Sequence, residues 1–490
     1  MLAFLNDLLW GKVLIVLLIA VGIGFTVASR FVQFRYFGRM FRILGASQAF
    51  KKDKHGHLSS FQALVLSVAG RVGGGNIAGV AVAITLGGPG AVFWMWVVGL
   101  MGMATSFLEC TLAQTYKTAE GDGTYRGGPA YYISRGLGRH WNWLAGVYSA
   151  LLLVTFGFAF TALQSYSVAT SFGDAFGVPV LYSGLGLALL VGLIIFGGIK
   201  RIARISEFLV PIMAGGYLLI ALVVLALNIT QIPDVIALIV KSAFGLEPAI
   251  GGGIGAAIMM GLKRGLFSNE AGLGSAPNVA AVAYVPHPAN QGIVQAFSVF
   301  IDTVIICSAT AFVILLSGVY EAGAGVDVAG IALTQAALAD HVGEWGRTFV
   351  SIALLLFAFS TILYNYYLGE NSLNFFSRRN QGLFNAFRVT IVLLVCWGAT
   401  TDLGTAFGFA DVTMGLLAVA NLIALIMLFK PGLRILRDFD GQMRAGVEQP
   451  VFNAKDHPDL DLDPKAWELE PEDLERAHQA LGNAPARNRG

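Results

Sequence analysis

Long apolar runs constrain this chain more than any other feature of its sequence. Residues 13–28 contain no charged side chain, and comparable stretches recur along the whole chain. A run of about 18 apolar residues is long enough to cross a bilayer as a helix. Eleven candidate spans can be marked, at roughly 12–29, 58–86, 90–115, 142–172, 179–199, 205–228, a composite over 234–285, 290–318, 346–373, 384–400 and 403–430. The expected fold class is therefore an all-α integral membrane protein. With 56% hydrophobic and 13% charged residues, the chain has far fewer charges than a soluble domain of its length. The first run is long for a signal-peptide core, lacks a small-residue cleavage site and is followed by Arg30, Arg35, Arg39 and Arg42, so it reads as a retained span.

Basic residues set the expected orientation. They concentrate in 30–57, in 116–141, at Lys200, Arg201 and Arg204, at Arg378 and Arg379, and at Lys430, Arg434 and Arg437. In an eleven-span count these segments share one side, which the positive-inside rule makes cytoplasmic. The N-terminus is then outside and the C-terminus inside. The net charge of +2 gives no reason to expect a nucleic-acid partner. Cys110, Cys307 and Cys396 lie singly in apolar runs and read as packing residues. The acidic segment from about 438 to 490 reads as a solvated tail. No HExxH or GxSxG motif occurs, so an enzyme is not expected.

The second span carries Gly70, Gly73, Gly74, Gly75 and Gly79 near its centre. Each interior glycine costs a helix about 1 kcal/mol relative to alanine. Three in a row predict an unwound segment at membrane depth, tolerated only inside protein or beside a polar cavity. Its free N–H groups suit a carboxylate and its free carbonyls a cation, with Asn76 adding a side-chain oxygen. Close packing through small residues is the competing reading. A second cluster at 251–255 predicts a second break running the opposite way, with Lys263 and Arg264 at the cytoplasmic end of its helix. Two oppositely directed breaks about five helices apart are the pattern of an inverted-repeat transporter.

Around these breaks the sequence resembles the alanine or glycine:cation symporter family. The stretches that carry the resemblance are GGGNIAGVAVAITLGGPGAVFWMWVVGLMGMATSFLECTLAQTYK (73–117), GGPAYYISRGLG (127–138), GLKRGLFSNEAGLGSAPN (261–278) and HPANQGIVQAFSVFIDT (287–303). The resemblance covers about residues 10–430. It implies a leucine-transporter-like fold in which two inverted five-helix repeats, about 58–228 and 229–430, follow an extra helix and basic segment (1–57) and precede a cytoplasmic tail (431–490). It also implies uptake of a small neutral amino acid, such as alanine or glycine, driven by Na⁺ or H⁺, with no other cofactor.

Carried over by position, the resemblance puts the substrate cavity at Gly74, Gly75, Asn76, Gln164, the segment Gly253, Ile254, Gly255 to Met259, and the stretch containing Asn365. It puts a sodium site at Ser360 and Thr361, with backbone carbonyls near Ala69 and Val72. The chain departs from many members at Arg71, Gly74 and Asn365. Arg71 stands out, because a guanidinium near the bilayer centre costs at least about 2.5 kcal/mol and must find a partner. Three roles are open to it: binding the substrate carboxylate, replacing a cation, or pairing with Asp302 or Glu109. Asp302 is also a candidate proton carrier. Glu109 could pair with Lys117, and Asn269-Glu270 reads as an inner gate or as the loop after the sixth core helix.

Overall fold

The computed structural model of the chain describes residues 2–50, 58–120, 124–246, 253–320, 330–378 and 380–468. These are almost entirely helical. A two-residue antiparallel pair, β1 (Thr118–Ala119) and β2 (Tyr125–Arg126), is the one sheet among the described residues. The main helices are α1 (Phe4–Ala28), α2 (Phe37–Phe50), α3 (Ser60–Arg71), α4 (Gly75–Gly87), α5 (Gly90–Thr115) and α6 (Pro129–Gly136). Then come α7 (Arg139–Phe176), α8 (Val180–Ile195), α9 (Gly198–Leu227), α10 (Ile232–Ala243), α11 (Gly253–Asn269) and α12 (Ser275–Ala280). The last six are α13 (Pro288–Leu315), α14 (Ile331–Val342), α15 (Trp345–Phe376), α16 (Gln381–Gly398), α17 (Leu403–Met427) and α18 (Phe429–Arg444).

Eight helices among the described residues are long and apolar enough to cross a membrane, and α3 with α4 forms a ninth candidate bent by 52°. Two of the eleven expected spans, at α8 and α11, are shorter, with 16 and 17 residues. Apolar surface gives helices no reason to associate in lipid, so close approach through small residues has to hold them together. A Cβ on Gly292 of α13 would sit 2.1 Å from the Thr111 hydroxyl of α5. One on Gly261 of α11 would sit 2.5 Å from the Ala91 carbonyl. Helix α5 is thereby clamped between α11 and α13 at the centre of the molecule.

The first break falls where it was expected. The start of α3, the helix that leads into it, is fixed by a capping box, in which the Ser59 hydroxyl accepts from Gln62 N–H and the Gln62 side chain accepts from Ser59 N–H. The second expected break, at 251–255, lies between α10, which ends at Ala243, and α11, which begins at Gly253 with φ of +75°; Gly251 and Gly252 lie outside the described residues. That helix runs to Asn269, and a second break among the described residues follows it: Glu270, Gly272 and Gly274 all take positive φ before α12 starts. The E-A-G-L-G pattern supplies what the break needs, two glycines at alternate positions where the backbone turns left-handed.

The end of the chain is also more structured than expected. Residues 429–444 form α18, and the following segment packs across one face of the molecule; 469–490 lie outside the described residues. Phe452, Ala466 and Trp467 bury against Tyr125, Tyr284 and Ile435. Phe452 N–H donates to the Pro286 carbonyl at 2.8 Å, and Trp467 Nε1 donates to the Thr115 carbonyl at 3.4 Å. The alternation of acidic and apolar residues reads as a solvated tail only if those apolar residues have nowhere to go. Here they have a cluster to enter.

Candidate functional site

The break between α3 and α4 redistributes backbone hydrogen bonds. In a continuous helix Gly73 N–H would donate to the Ala69 carbonyl, and Gly74 N–H to the Gly70 carbonyl. Instead Gly73 N–H donates to Asn76 Oδ1 and Gly74 N–H donates to Gln164 Oε1 of α7, each at 2.9 Å. Val72, at ψ 92°, is extended, and Asn76 N–H turns back to the Gly73 carbonyl rather than to Val72. The Ala69 and Val72 carbonyls thus lose their helical donors.

Hydroxyls of α15 fill that role. Thr361 Oγ1 donates within reach of the Ala69 carbonyl at 3.0 Å and the Val72 carbonyl at 3.4 Å. Ser360 Oγ lies 3.2 Å from the Ala69 carbonyl. Both hydroxyls also lie 2.9 Å from the Phe357 carbonyl one turn earlier. Five oxygens from Ala69, Val72, Phe357, Ser360 and Thr361 therefore converge between α3 and α15. Glycine makes the approach possible. A Cβ on Gly73 would lie 2.7 Å from Thr361 Oγ1, one on Gly70 2.3 Å from the Tyr364 ring, and one on Gly75 2.9 Å from the Phe267 ring.

A polar node adjoins this group. Asn76 Nδ2 donates to Asp302 Oδ1 at 2.6 Å, and Ser268 and Thr303 donate to Asp302 Oδ2 at 2.8 and 2.7 Å. Cys307 lies against both Asn76 and Ser268. Asp302 is therefore joined to both breaks at once. The helices widen into π-turns at Gly75–Gly79, Leu153–Phe160 and Phe300–Cys307, all bordering this region, as π-turns often do at functional sites. Asn365, one turn beyond Thr361 in α15, is fully buried, and neither atom of its amide has a hydrogen-bond partner in the structure.

Carboxylates serve the second break. Glu270 accepts from Ser275 Oγ at 2.6 Å and Tyr364 Oη at 3.1 Å. Glu109 of α5 accepts from Gly272 N–H at 3.3 Å and from Asn421 Nδ2 at 3.1 Å, so it satisfies backbone freed by the turn. It does not pair with Lys117, whose amine donates to the Ala283 carbonyl at 3.1 Å. Asn269-Glu270 belongs to the break itself.

Arg71 turns away from the five oxygens. Its guanidinium lies between α5 and α13, donating to Ser298 Oγ, to Ser106 Oγ at 3.1 Å and to the Gln295 carbonyl at 3.3 Å. It makes no ion pair with Asp302 or Glu109 among the described residues, because neutral oxygens on two neighbouring helices take its charge.

Lys263 and Arg264 do not lie at a helix end. They are buried within α11, both paired with Asp411 of α17: the Lys263 amine at 2.6 Å, and Arg264 Nη2 on both carboxylate oxygens at 2.6 and 2.7 Å. Nothing in the spacing of α11 betrays Asp411, which is 147 residues away. Gly253, Ile254 and Gly255 occupy the N-terminal end of α11, with Ile254 44% exposed. A Cβ on Gly75 would lie 3.5 Å from Ser268 Cα, and Ile254 is 14 residues before Ser268, so helical rise puts it about 20 Å from the first break. Met259, about halfway along, is partly buried against the apolar core. The structure therefore brings Gly74, Gly75, Asn76, Gln164, Ser360 and Thr361 together and leaves Gly253, Ile254, Gly255 and Met259 apart. Ser268, Asp302 and Glu270 join the first group.

Comparison with known proteins bears on this arrangement. A family model described as the sodium:alanine symporter family matches residues 1–454. The amino-acid carrier protein AlsT of Bacillus subtilis is 47% identical over 465 residues, covering 95% of this chain and 97% of that protein. The probable sodium/glutamine symporter GlnT of the same organism is 46% identical, covering 91% of each. Among solved structures, the manganese transporter of Eremococcus coleocola aligns with a TM-score of 0.52 at 15% identity, over 86% of this chain and 85% of that one. That likeness concerns the fold, which is leucine-transporter-like.

Proposed function

The chain belongs to the sodium:alanine symporter family, and from that premise we propose that it couples inward movement of Na⁺ to uptake of a small neutral amino acid by alternating access. It is a multi-pass membrane transporter rather than an enzyme. The observation that supports the coupling ion is the convergence of the Ala69, Val72 and Phe357 carbonyls with the Ser360 and Thr361 hydroxyls. Hard oxygen ligands suit a hard cation. With an ion bound, both hydroxyls would turn their lone pairs inward and release the carbonyls they now satisfy.

The amino acid would occupy the space beside the first break. Gly73 and Gly74 N–H groups are held by neutral side-chain oxygens of Asn76 and Gln164. A substrate carboxylate is the stronger acceptor and would displace them. Asn365 carries an unpartnered buried amide one turn from Thr361 and would meet the substrate from the opposite side. Alanine, which the family's description names, is the first candidate, with glycine beside it. The name of GlnT brings glutamine into consideration as well.

Two inverted repeats, about 58–228 and 229–430, would rock about these breaks, with the N-terminus outside and the basic face on the cytoplasmic side of a bacterial inner membrane. A second reading takes H⁺ as the coupling ion, carried by Asp302. It is favoured by the contacts of Asp302 with Asn76 and Ser268. Replacement of the ion by Arg71 is disfavoured, since its guanidinium is directed to Ser106 and Ser298. The test is uptake of an amino-acid panel into proteoliposomes under separately imposed sodium and proton gradients. Saturable, sodium-driven uptake of alanine, glycine or glutamine is expected. Uptake of none of the panel would overturn the reading.

A further inference from the structure

A cavity of about 400 Å³ opens where the end of α1 meets α18. One wall is apolar, from Val27, Ala28, Leu433 and Leu436. The other carries Arg30, Arg437 and Arg444. These three arginines are exposed and make no ion pair among the described residues. The cavity's one acid, Asp440, is already held by Arg35 at 2.7 Å and by the Tyr36 hydroxyl at 2.5 Å. The spare charge is therefore cationic.

The place is built rather than incidental. Arg30 and Phe31 both take φ of +57°, a conformation that side-chain-bearing residues adopt only when their surroundings enforce it. The two residues turn the chain sharply at the end of its first span and leave Arg30 facing α18. Stacked rings of Phe25 and Phe429, 5.3 Å apart, tie α1 to the start of α18. Residues 433, 437, 440 and 444 follow helical spacing, so α18 presents a single face to the cavity. Above the cavity, α1 exposes Val16, Ile23 and Val27, which is where acyl chains would lie.

We infer that this cavity is a binding site for an anionic phospholipid, with the headgroup phosphate among Arg30, Arg437 and Arg444 and the acyl chains along α1. Its depth argues for lipid over a soluble anion, because the arginines begin two residues after a membrane span ends. An apolar wall continuous with lipid-facing side chains would be of no use to free phosphate. Basic pockets at this level attract anionic headgroups in general.

The experiment measures thermal stabilisation of the purified full chain in micelles titrated with phosphatidylglycerol, phosphatidylcholine or inorganic phosphate. Phosphatidylglycerol should act at far lower concentration than phosphatidylcholine, and inorganic phosphate should not compete with it. Arg437→Gln/Arg444→Gln should need on the order of thirtyfold more phosphatidylglycerol. Arg201→Gln/Arg204→Gln, which removes the same charge elsewhere, should not shift. Equal shifts in the two variants, or competition by inorganic phosphate, would overturn the inference. If the Arg437/Arg444 variant does not fold, the wild type decides: high salt should abolish the preference for phosphatidylglycerol, and its persistence would overturn the site.

Discussion

Gly70 shows how one residue type serves two purposes at the first break. Glycine weakens the helix, and it also lets α15 approach, since a Cβ would sit 2.3 Å from the Tyr364 ring. Unwinding and small-residue packing looked like rival readings of the same residues in the sequence, and both operate. Gly70→Ala is expected to lower stability by about 1–3 kcal/mol, the cost of overpacking, read as a fall in melting temperature in detergent. Arg71 separates stability from coupling. Its partners are Ser106, Ser298 and the Gln295 carbonyl, so Arg71→Thr should lower the melting temperature yet leave the sodium dependence of uptake unchanged. A shift in half-saturating Na⁺ would show that its charge reaches the ion. Lys117, just beyond the end of α5, gives a pH signature. Burial holds its amine down at about 7 against an ordinary 10.5. Below 7 the amine is charged in both folded and unfolded chains and its burial cost is felt in full. Between 7 and 10.5 the folded amine is neutral while the unfolded one is charged, so folding releases a proton and stability climbs with pH. Wild type should therefore gain on the order of 1 kcal/mol per pH unit over that window relative to Lys117→Met, measured by thermal unfolding.

The helices and the first break were legible in the sequence because each depends on local composition: apolar length for a span, consecutive glycines for the break. The interruption at 270–274 was passed over for an equally local reason. GGGIG at 251–255 looks more disruptive than EAGLG at 270–274, yet α11 begins within the first cluster and ends before the second. Glycines in a helix's first turn cost little, whereas alternate glycines in left-handed positions cannot continue a helix. Ser268 and Asp302 were readable as polar residues in apolar runs, but their meeting with Asn76 depends on three helices crossing, which no spacing encodes. The Asp411 pairing with Lys263 and Arg264 is long-range in the same way. Stereochemistry sharpens the role of the second break: Gly274→Ala must carry φ of +79° and would set a Cβ 2.5 Å from Pro129. Loss of folded protein on size exclusion is expected for it, and near-normal yield for Gly255→Ala, which meets open space.

Across the whole molecule, the C-terminal strap pairs with basic residues of the face it covers, Arg434 with Asp459 at 2.6 Å and Arg135 with Asp461 at 3.9 Å. The strap joins elements from both halves of the chain, including Ala119 N–H to Asp463 Oδ2 at 3.0 Å and Phe452 N–H to the Pro286 carbonyl at 2.8 Å. The Lys117 amine lies 4.2 and 4.6 Å from the centres of the Tyr125 and Trp467 rings, beneath this strap. A chain ending after Glu448 should therefore expose Lys117 to amine-modifying reagents, read by mass spectrometry, while the intact chain protects it. The central claim, however, concerns the oxygens between α3 and α15. It is tested most directly by the sodium dependence of amino-acid uptake in proteoliposomes, comparing wild type with Thr361→Ala and Ser360→Ala. Removal of either oxygen should raise half-saturating Na⁺ by on the order of tenfold or more, with uptake recovering at high Na⁺. Half-saturating Na⁺ unchanged in both variants would contradict the account.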